Sequence, residues 1–133
     1  MGHSHLTNKI LNDPLYGFIR LESPLILNLL DHPLLQRLRY IRQLGMTYLV
    51  YPGATHSRLA HALGAMHLMQ NALDILQHKG YHLSPDDRLG ALVAILLHDL
   101  GHAPFSHALE GFLIQDMPHE EISLLLMQDL NQA

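Results

Sequence analysis

Residues 96–107 of the chain, LLHDLGHAPFSH, place three histidines and an aspartate within ten positions, directly behind an apolar run. Imidazole and carboxylate are the ligands of borderline and hard divalent metals, and they are the groups that move protons near neutral pH. There is no cysteine, so a metal here would be held by nitrogen and oxygen alone. His98 and Asp99 fall at the C-terminal end of a predicted helix, where unpaired carbonyls form a negative pole. A cation is favoured there. Asp99 alone would be repelled and needs a positive partner, a role that a metal ion would fill. Taken singly, the pair reads equally as an ordinary helix-end ion pair. Neighbouring side chains on a helix diverge by about 100°, so serving one ion together requires a specially shaped helix end.

The preceding helix, predicted from Arg58 to Lys79, adds two more candidates. Its apolar stripe is Leu59, Leu63, Met66, Met69, Leu73 and Leu76, with His67, Asn71, Asp74 and His78 on the wet side. His61 shares a line with Ala65, Leu68 and Ala72 beside the stripe, where a satisfied core histidine is the commoner reading and a ligand the sharper one. Arg58 points inward, and a buried guanidinium requires an anion or a carboxylate. His102 and His107 read as loop or cap residues, and His119, after Pro118, as first-turn filler. Their concentration beside the most apolar helix is what such readings explain poorly.

The elements that must position these groups are mostly helical. KILNDPLYGFIRL (9–21), with Asn-Asp-Pro and a glycine between short apolar stretches, predicts a β-hairpin. Ser23-Pro24 opens a helix, and His32-Pro33 opens another that runs to Gly45. On it Arg37, Arg39 and Arg42 read as a solvated face. Residues 46–57 are a loop. Ser84-Pro85-Asp86-Asp87 caps a helix that is apolar on every side from Leu89 to Leu97, the pattern of a fully buried central helix. After a break at Gly101-Ala103-Pro104, helices are predicted over 105–115 and from Pro118 to near Asp129. The expectation is an all-α fold with an N-terminal hairpin.

Composition limits what such a fold could do. At 133 residues the chain is one domain long. Charged residues are 15%, against about 25% in ordinary domains, so a partner subunit or further sequence is expected against its surface. The net charge of −4 argues against a sequence-independent grip on nucleic acid. No apolar run reaches the length of a membrane span. The start, MGHSHLTNK, lacks the apolar core of a signal peptide, and with no cysteine it points to the cytoplasm; residues 1–8 read as a disordered or tag-like start.

Taken together, the residues resemble the HD-domain phosphohydrolases, named for a paired His-Asp metal site. QRLRYIRQLG (36–45), YPGATHSRLAHALG (51–64), LLHDLGHAPFSHALE (96–110) and PHEEIS (118–123) are similar to successive blocks of the deoxynucleoside triphosphate triphosphohydrolase branch. The hairpin segment resembles that branch's N-terminal hairpin. The resemblance implies an HD-domain helical bundle over residues 9–133, shortened at its C-terminus. It implies His61, His98 and Asp99 as metal ligands, with the family's last aspartate ligand lying farther downstream than this chain reaches. It further implies Arg58 on the α-phosphate, His102 and His107 on phosphate or in catalysis, His119 as proton donor and Glu110 as the acid that orients it. The family usually has Asp at that last position. Gln43 and Leu44 match residues against the deoxyribose, and Asp31, Gln36 and Arg39 match positions that read an activating guanine nucleotide.

The donor set suits Mn, Fe, Ni, Zn or Mg. The expected function is metal-dependent hydrolysis of nucleotides, converting a dNTP to deoxynucleoside and triphosphate. Two other readings stand beside it: a module that binds metal or nucleotide with little turnover, and a helical interaction domain with structural histidines. Homo-oligomers are expected from the low charge and uncovered apolar faces.

Overall fold

The computed structural model describes residues 9–105 and 117–132. The chain opens as predicted, with an antiparallel hairpin of β1 (Lys9–Asp13) and β2 (Gly17–Leu21), in which Lys9 pairs with Leu21 and Asp13 with Gly17. Asp13 makes the turn: its Oδ1 accepts the amides of Leu15 (2.8 Å) and Tyr16 (2.9 Å), an Asx arrangement that frees a short chain from needing backbone partners. Gly17 follows at φ +75°. Alternation then buries Ile19 and Leu21 and leaves Phe18 and Arg20 outside.

Five α-helices follow among the described residues: α1 (Pro24–Asp31), α2 (Pro33–Gln36), α3 (Arg58–His78), α4 (Pro85–Leu97) and α5 (His119–Leu130). Serine caps start three of them. Ser23, Ser57 and Ser84 accept the amides of Ile26, Ala60 and Asp87, each satisfying a donor that a helix start leaves orphaned. His32 does the same for α2, its Nδ1 accepting from Leu34 at 3.3 Å. One apolar cluster unites the hairpin with α1–α4; Ile19, Leu35, Leu38, Met66, Leu96 and Leu100 are its deepest members. No helix among the described residues is long and apolar enough to cross a membrane.

Two predicted elements differ from expectation. The helix expected from Pro33 to Gly45 keeps α geometry only to Gln36, tightens into a 3-10 turn over Arg37–Tyr40, and is extended at Ile41. Tertiary pairing prevails over helical pattern here: Arg42 bridges Ser57, the Ile41 carbonyl accepts the Arg58 amide at 2.8 Å, and the His56 carbonyl accepts that of Gln43 at 3.2 Å. This short ladder aims the start of α3. The second difference concerns α4. Leu92, Leu96 and Leu97 are buried, but Gly90 and Ala94 are exposed, so an all-apolar helix keeps one uncovered side. The break after α4 is where the sequence placed it. Phe105 sits in a turn at φ +63°, outside right-handed helical geometry, and the rest of the helix predicted over 105–115 lies outside the described residues.

Candidate metal centre

α3 and α4 pack against each other, and the site forms where the first turn of α3 meets the last of α4. His61 faces across from the first turn. Its Nε2 lies 3.3 Å from Nε2 of His98 and 3.8 Å from Oδ2 of Asp99, while His98 Nε2 is 3.3 Å from Asp99 Oδ1. All three ligand atoms fall within 4.8 Å of one another. Neighbouring donors around an ion with bonds of about 2.1 Å stand roughly 3.0–3.4 Å apart; the two 3.3 Å separations meet that spacing and the 3.8 Å one lies beyond it, within reach of a small inward movement of His61. The donor chemistry fits as well. The Ile95 carbonyl lies 2.6 Å from His98 Nδ1, which puts the ring proton on Nδ1 and leaves the Nε2 lone pair facing the cluster.

Electrostatics keeps His61 and Asp99 in ligand form. Burial pulls the His61 imidazole below its ordinary pKa; Asp99 opposes this, and His98, Arg58 and His56 add to it. Burial by itself would raise the Asp99 carboxyl. The hydrogen bond from His102 and the charges of His98, Arg58 and His102 outweigh it, holding Asp99 well below the usual carboxylate range. The result is a neutral ring beside a charged carboxylate.

Arg58 points inward as the sequence suggested and is 4% exposed. Its Nη1 donates to Asp99 Oδ2 at 2.6 Å, so the positive partner that Asp99 required is already supplied by protein. His102 is buried with its Nε2 3.5 Å from Asp99 Oδ1. The His119 ring stacks on it, centroids 3.9 Å apart and planes 21° from parallel. Glu120 Oε1 lies 3.3 Å from His119 Nε2, an acid that nothing in the residue pattern singles out. His107 and Glu110 lie outside the described residues.

Gln43 reaches the same neighbourhood by a different route. Its Oε1 is 2.5 Å from His56 Nε2, and both line a cavity of about 460 Å³ that His61 walls from α3 and Tyr16 from the hairpin turn. Leu44 is exposed and is not part of that lining. Asp31, Gln36 and Arg39 sit elsewhere: Asp31 pairs with Lys9 at 3.6 Å, and Gln36 accepts from Arg39 at 3.1 Å while donating to the Leu30 carbonyl at 2.6 Å. Arg37, read from the sequence as part of a solvated face, is turned inward instead. It donates to the carbonyls of Leu100 and His102. Nothing in its flanking residues signals that contact.

The sequence profile of the HD domain family matches residues 58–132, a span running from Arg58 through the His98-Asp99 pair to the end of α5. The chain belongs to the HD domain family. Deoxynucleoside triphosphate triphosphohydrolase SAMHD1 of Homo sapiens is 41% identical over 132 residues, covering 93% of this chain and 21% of the relative. Uncharacterized protein YwfO of Bacillus subtilis (strain 168) is 38% identical over 115 residues, covering 86% and 26%. A phosphohydrolase of Bacteroides thetaiotaomicron VPI-5482, solved by crystallography, superposes with a TM-score of 0.91 at 48% identity, over 94% of this chain and 31% of that one. The chain thus spans about a fifth of the length of the first of these relatives and about a third of the solved structure. His98 and Asp99 lie within the matched span.

Proposed function

We propose that this chain carries the metal- and phosphate-handling part of a nucleotide phosphohydrolase, acting on dNTPs to give deoxynucleoside and triphosphate. The observation that carries the reading is the convergence of His61, His98 and Asp99 at ligand spacing with a buried arginine and a stacked histidine pair alongside. The naming of SAMHD1 as a triphosphohydrolase supports the choice of substrate. His61, His98 and Asp99 would hold a divalent cation of the Mn, Fe, Ni, Zn or Mg group, which would supply Lewis acidity toward a phosphoryl oxygen.

The remaining work belongs to side chains. Arg58, anchored on Asp99 and unable to lose its proton, offers its guanidinium to the α-phosphate. His102 and, by resemblance, His107 spread the charge that builds on the reacting phosphoryl group. Hydrolysis leaves the water oxygen on the triphosphate and breaks the bond to the 5′ oxygen, which takes a proton from His119. Glu110, by resemblance, orients that donor. Gln43, with Leu44, holds the deoxyribose.

Incubation with each dNTP and Mn²⁺, read by chromatography of released triphosphate, tests the reading. Triphosphate release that His98→Ala abolishes is expected; none with Mn, Fe, Ni, Co or Mg would sink it. A second reading, a module that binds metal or nucleotide without turnover, is favoured by one observation: Arg58 already engages Asp99 Oδ2 at 2.6 Å. Metal retained without hydrolysis would select it. We further infer a cytoplasmic protein that self-associates, since Tyr40, Leu49, Val50 and Tyr51 are exposed on one stretch, and an effector role for Asp31, Gln36 and Arg39.

A further inference from the structure

The turn that follows the HD pair is held from outside itself. Its peptide groups lie past the last helical residue, where backbone polar atoms lose their intrahelical partners. Side chains from distant elements supply them. Arg37 Nη2 donates to the Leu100 carbonyl at 2.5 Å and Nη1 to the His102 carbonyl at 2.9 Å, while Ser123 Oγ accepts the Gly101 amide at 2.8 Å. The Leu100 carbonyl and the Gly101 amide belong to one peptide unit, so that plane is gripped at both edges. The Asp99 carbonyl takes the His102 amide at 3.2 Å, and Arg37 fixes the next plane along. The backbone around His102 is thereby set by two side chains from elsewhere in the fold.

The same contacts place His119. Ser123 is 3% exposed and lies one turn into α5. A Cβ on Gly101 would stand 2.2 Å from the His119 carbonyl oxygen and 2.6 Å from the Ser123 amide, so α5 meets the turn backbone to backbone. That approach is what brings the His119 ring onto His102. Partial burial lowers the Arg37 guanidinium from its ordinary pKa, yet guanidinium remains protonated at any working pH. A lysine cannot reproduce the grip, because one ammonium lacks the planar fork that spans two carbonyls.

We propose that Arg37 and Ser123 are positioning residues for the His102–His119 pair, acting through the backbone of residues 100–102. The proposal rests on the reading above that these histidines serve phosphoryl transfer. Arg37→Lys is the sharpest test. With dATP and Mn²⁺, kcat is expected to fall on the order of tenfold or more, as small misplacements of reacting groups do, with KM and metal per chain within about twofold of the parent.

In a His102→Ala background the same change should cost markedly less, because one of the two rings through which Arg37 acts is gone. An equal loss in both backgrounds, or a loss matched by released metal, overturns the proposal. Ser123→Ala provides the second variant, with the same pattern expected, should Arg37→Lys fail to fold. A measurement independent of turnover separates this proposal from the functional reading. In long-range ¹H–¹⁵N spectra, either substitution should move the ring signals of His102 and His119 and leave His67 and His78 in place. Absent turnover in the parent chain removes the functional reading alone; unmoved rings remove the positioning role.

Discussion

The two halves of the site are built by different means. His61 is delivered by the first turn of α3, and His98 and Asp99 by the cap and the first turn residue directly behind α4, so their spacing follows from the α3–α4 contact and the way α4 ends. His102 and His119 come from a turn and a helix start, and their stacking depends on Arg37 and Ser123 reaching across the fold. Helix ends tolerate change around them because the ladder behind them is local. A turn braced by remote side chains inherits every displacement of the elements that brace it. The metal half should therefore fail through loss of a ligand, and the histidine pair through loss of geometry.

The largest effect expected is from Asp99→Ala. It removes a proposed ligand and leaves Arg58, 4% exposed, without its carboxylate; breaking a buried pair from one side costs about 3–5 kcal/mol. Chemical denaturation and metal analysis together would show both losses, and an unchanged midpoint would contradict the account of the pair. Gly101→Ala comes next. The added methyl must displace α5, at roughly 1–3 kcal/mol for overpacking, and should lower kcat while bound metal stays near its parent level. If metal is lost in parallel, the two halves are not separable.

Acidification gives a smaller effect, confined to the metal half. The folded pKa of His61 lies below its ordinary 6.5, so the unfolded chain binds the proton more readily. Stability contributed by the neutral ring is present above about pH 6.5 and is lost as pH falls below it. Protons compete with metal for the same nitrogen, so metal per chain, followed by dialysis from pH 8 to 5, should drop below about pH 6.5. A His61→Ala variant that holds as much metal as the parent across that range would show that His61 is no ligand. The smallest effect expected is from Arg88→Ala, which removes a surface pair with Asp74 far from either half and should change stability by about 0–1 kcal/mol and kcat not at all.

The sequence makes the metal half readable and the other half only partly so. His98-Asp99 at the end of an apolar helix and an inward Arg58 three positions before His61 are periodicity statements, and periodicity survives folding. The hairpin and four helix starts are legible for a similar reason, since turn and cap chemistry is local. Arg37 is the counterexample. Its neighbours Arg39 and Arg42 make it look like part of a charged face, and its partners are backbone carbonyls 63 and 65 positions away, which carry no residue type to read. The helix expected to continue to Gly45 stops for a related cause, because pairing with residues 56–58 takes its backbone. The exposed side of α4 shows the limit of composition: it reports how apolar a helix is, not what covers it.

The hairpin's seat on α3 has a consequence for the order in which the molecule assembles. Gly64 lies one turn beyond His61, and a Cβ there would stand 2.8 Å from Cε2 of Tyr16, so the tyrosine ring occupies space that only glycine leaves open. The contact joins positions far apart in sequence, and the entropy of closing that loop must be met before the contact stabilises anything. Helix α3 needs no such closure and forms from neighbouring residues. The cavity wall shared by Tyr16 and His61 is thus a late arrival in folding and an early departure in unfolding. Amides of β1 and β2 should exchange with solvent before those of α3, and the cavity beside His61 should open while the α3–α4 contact is still in place.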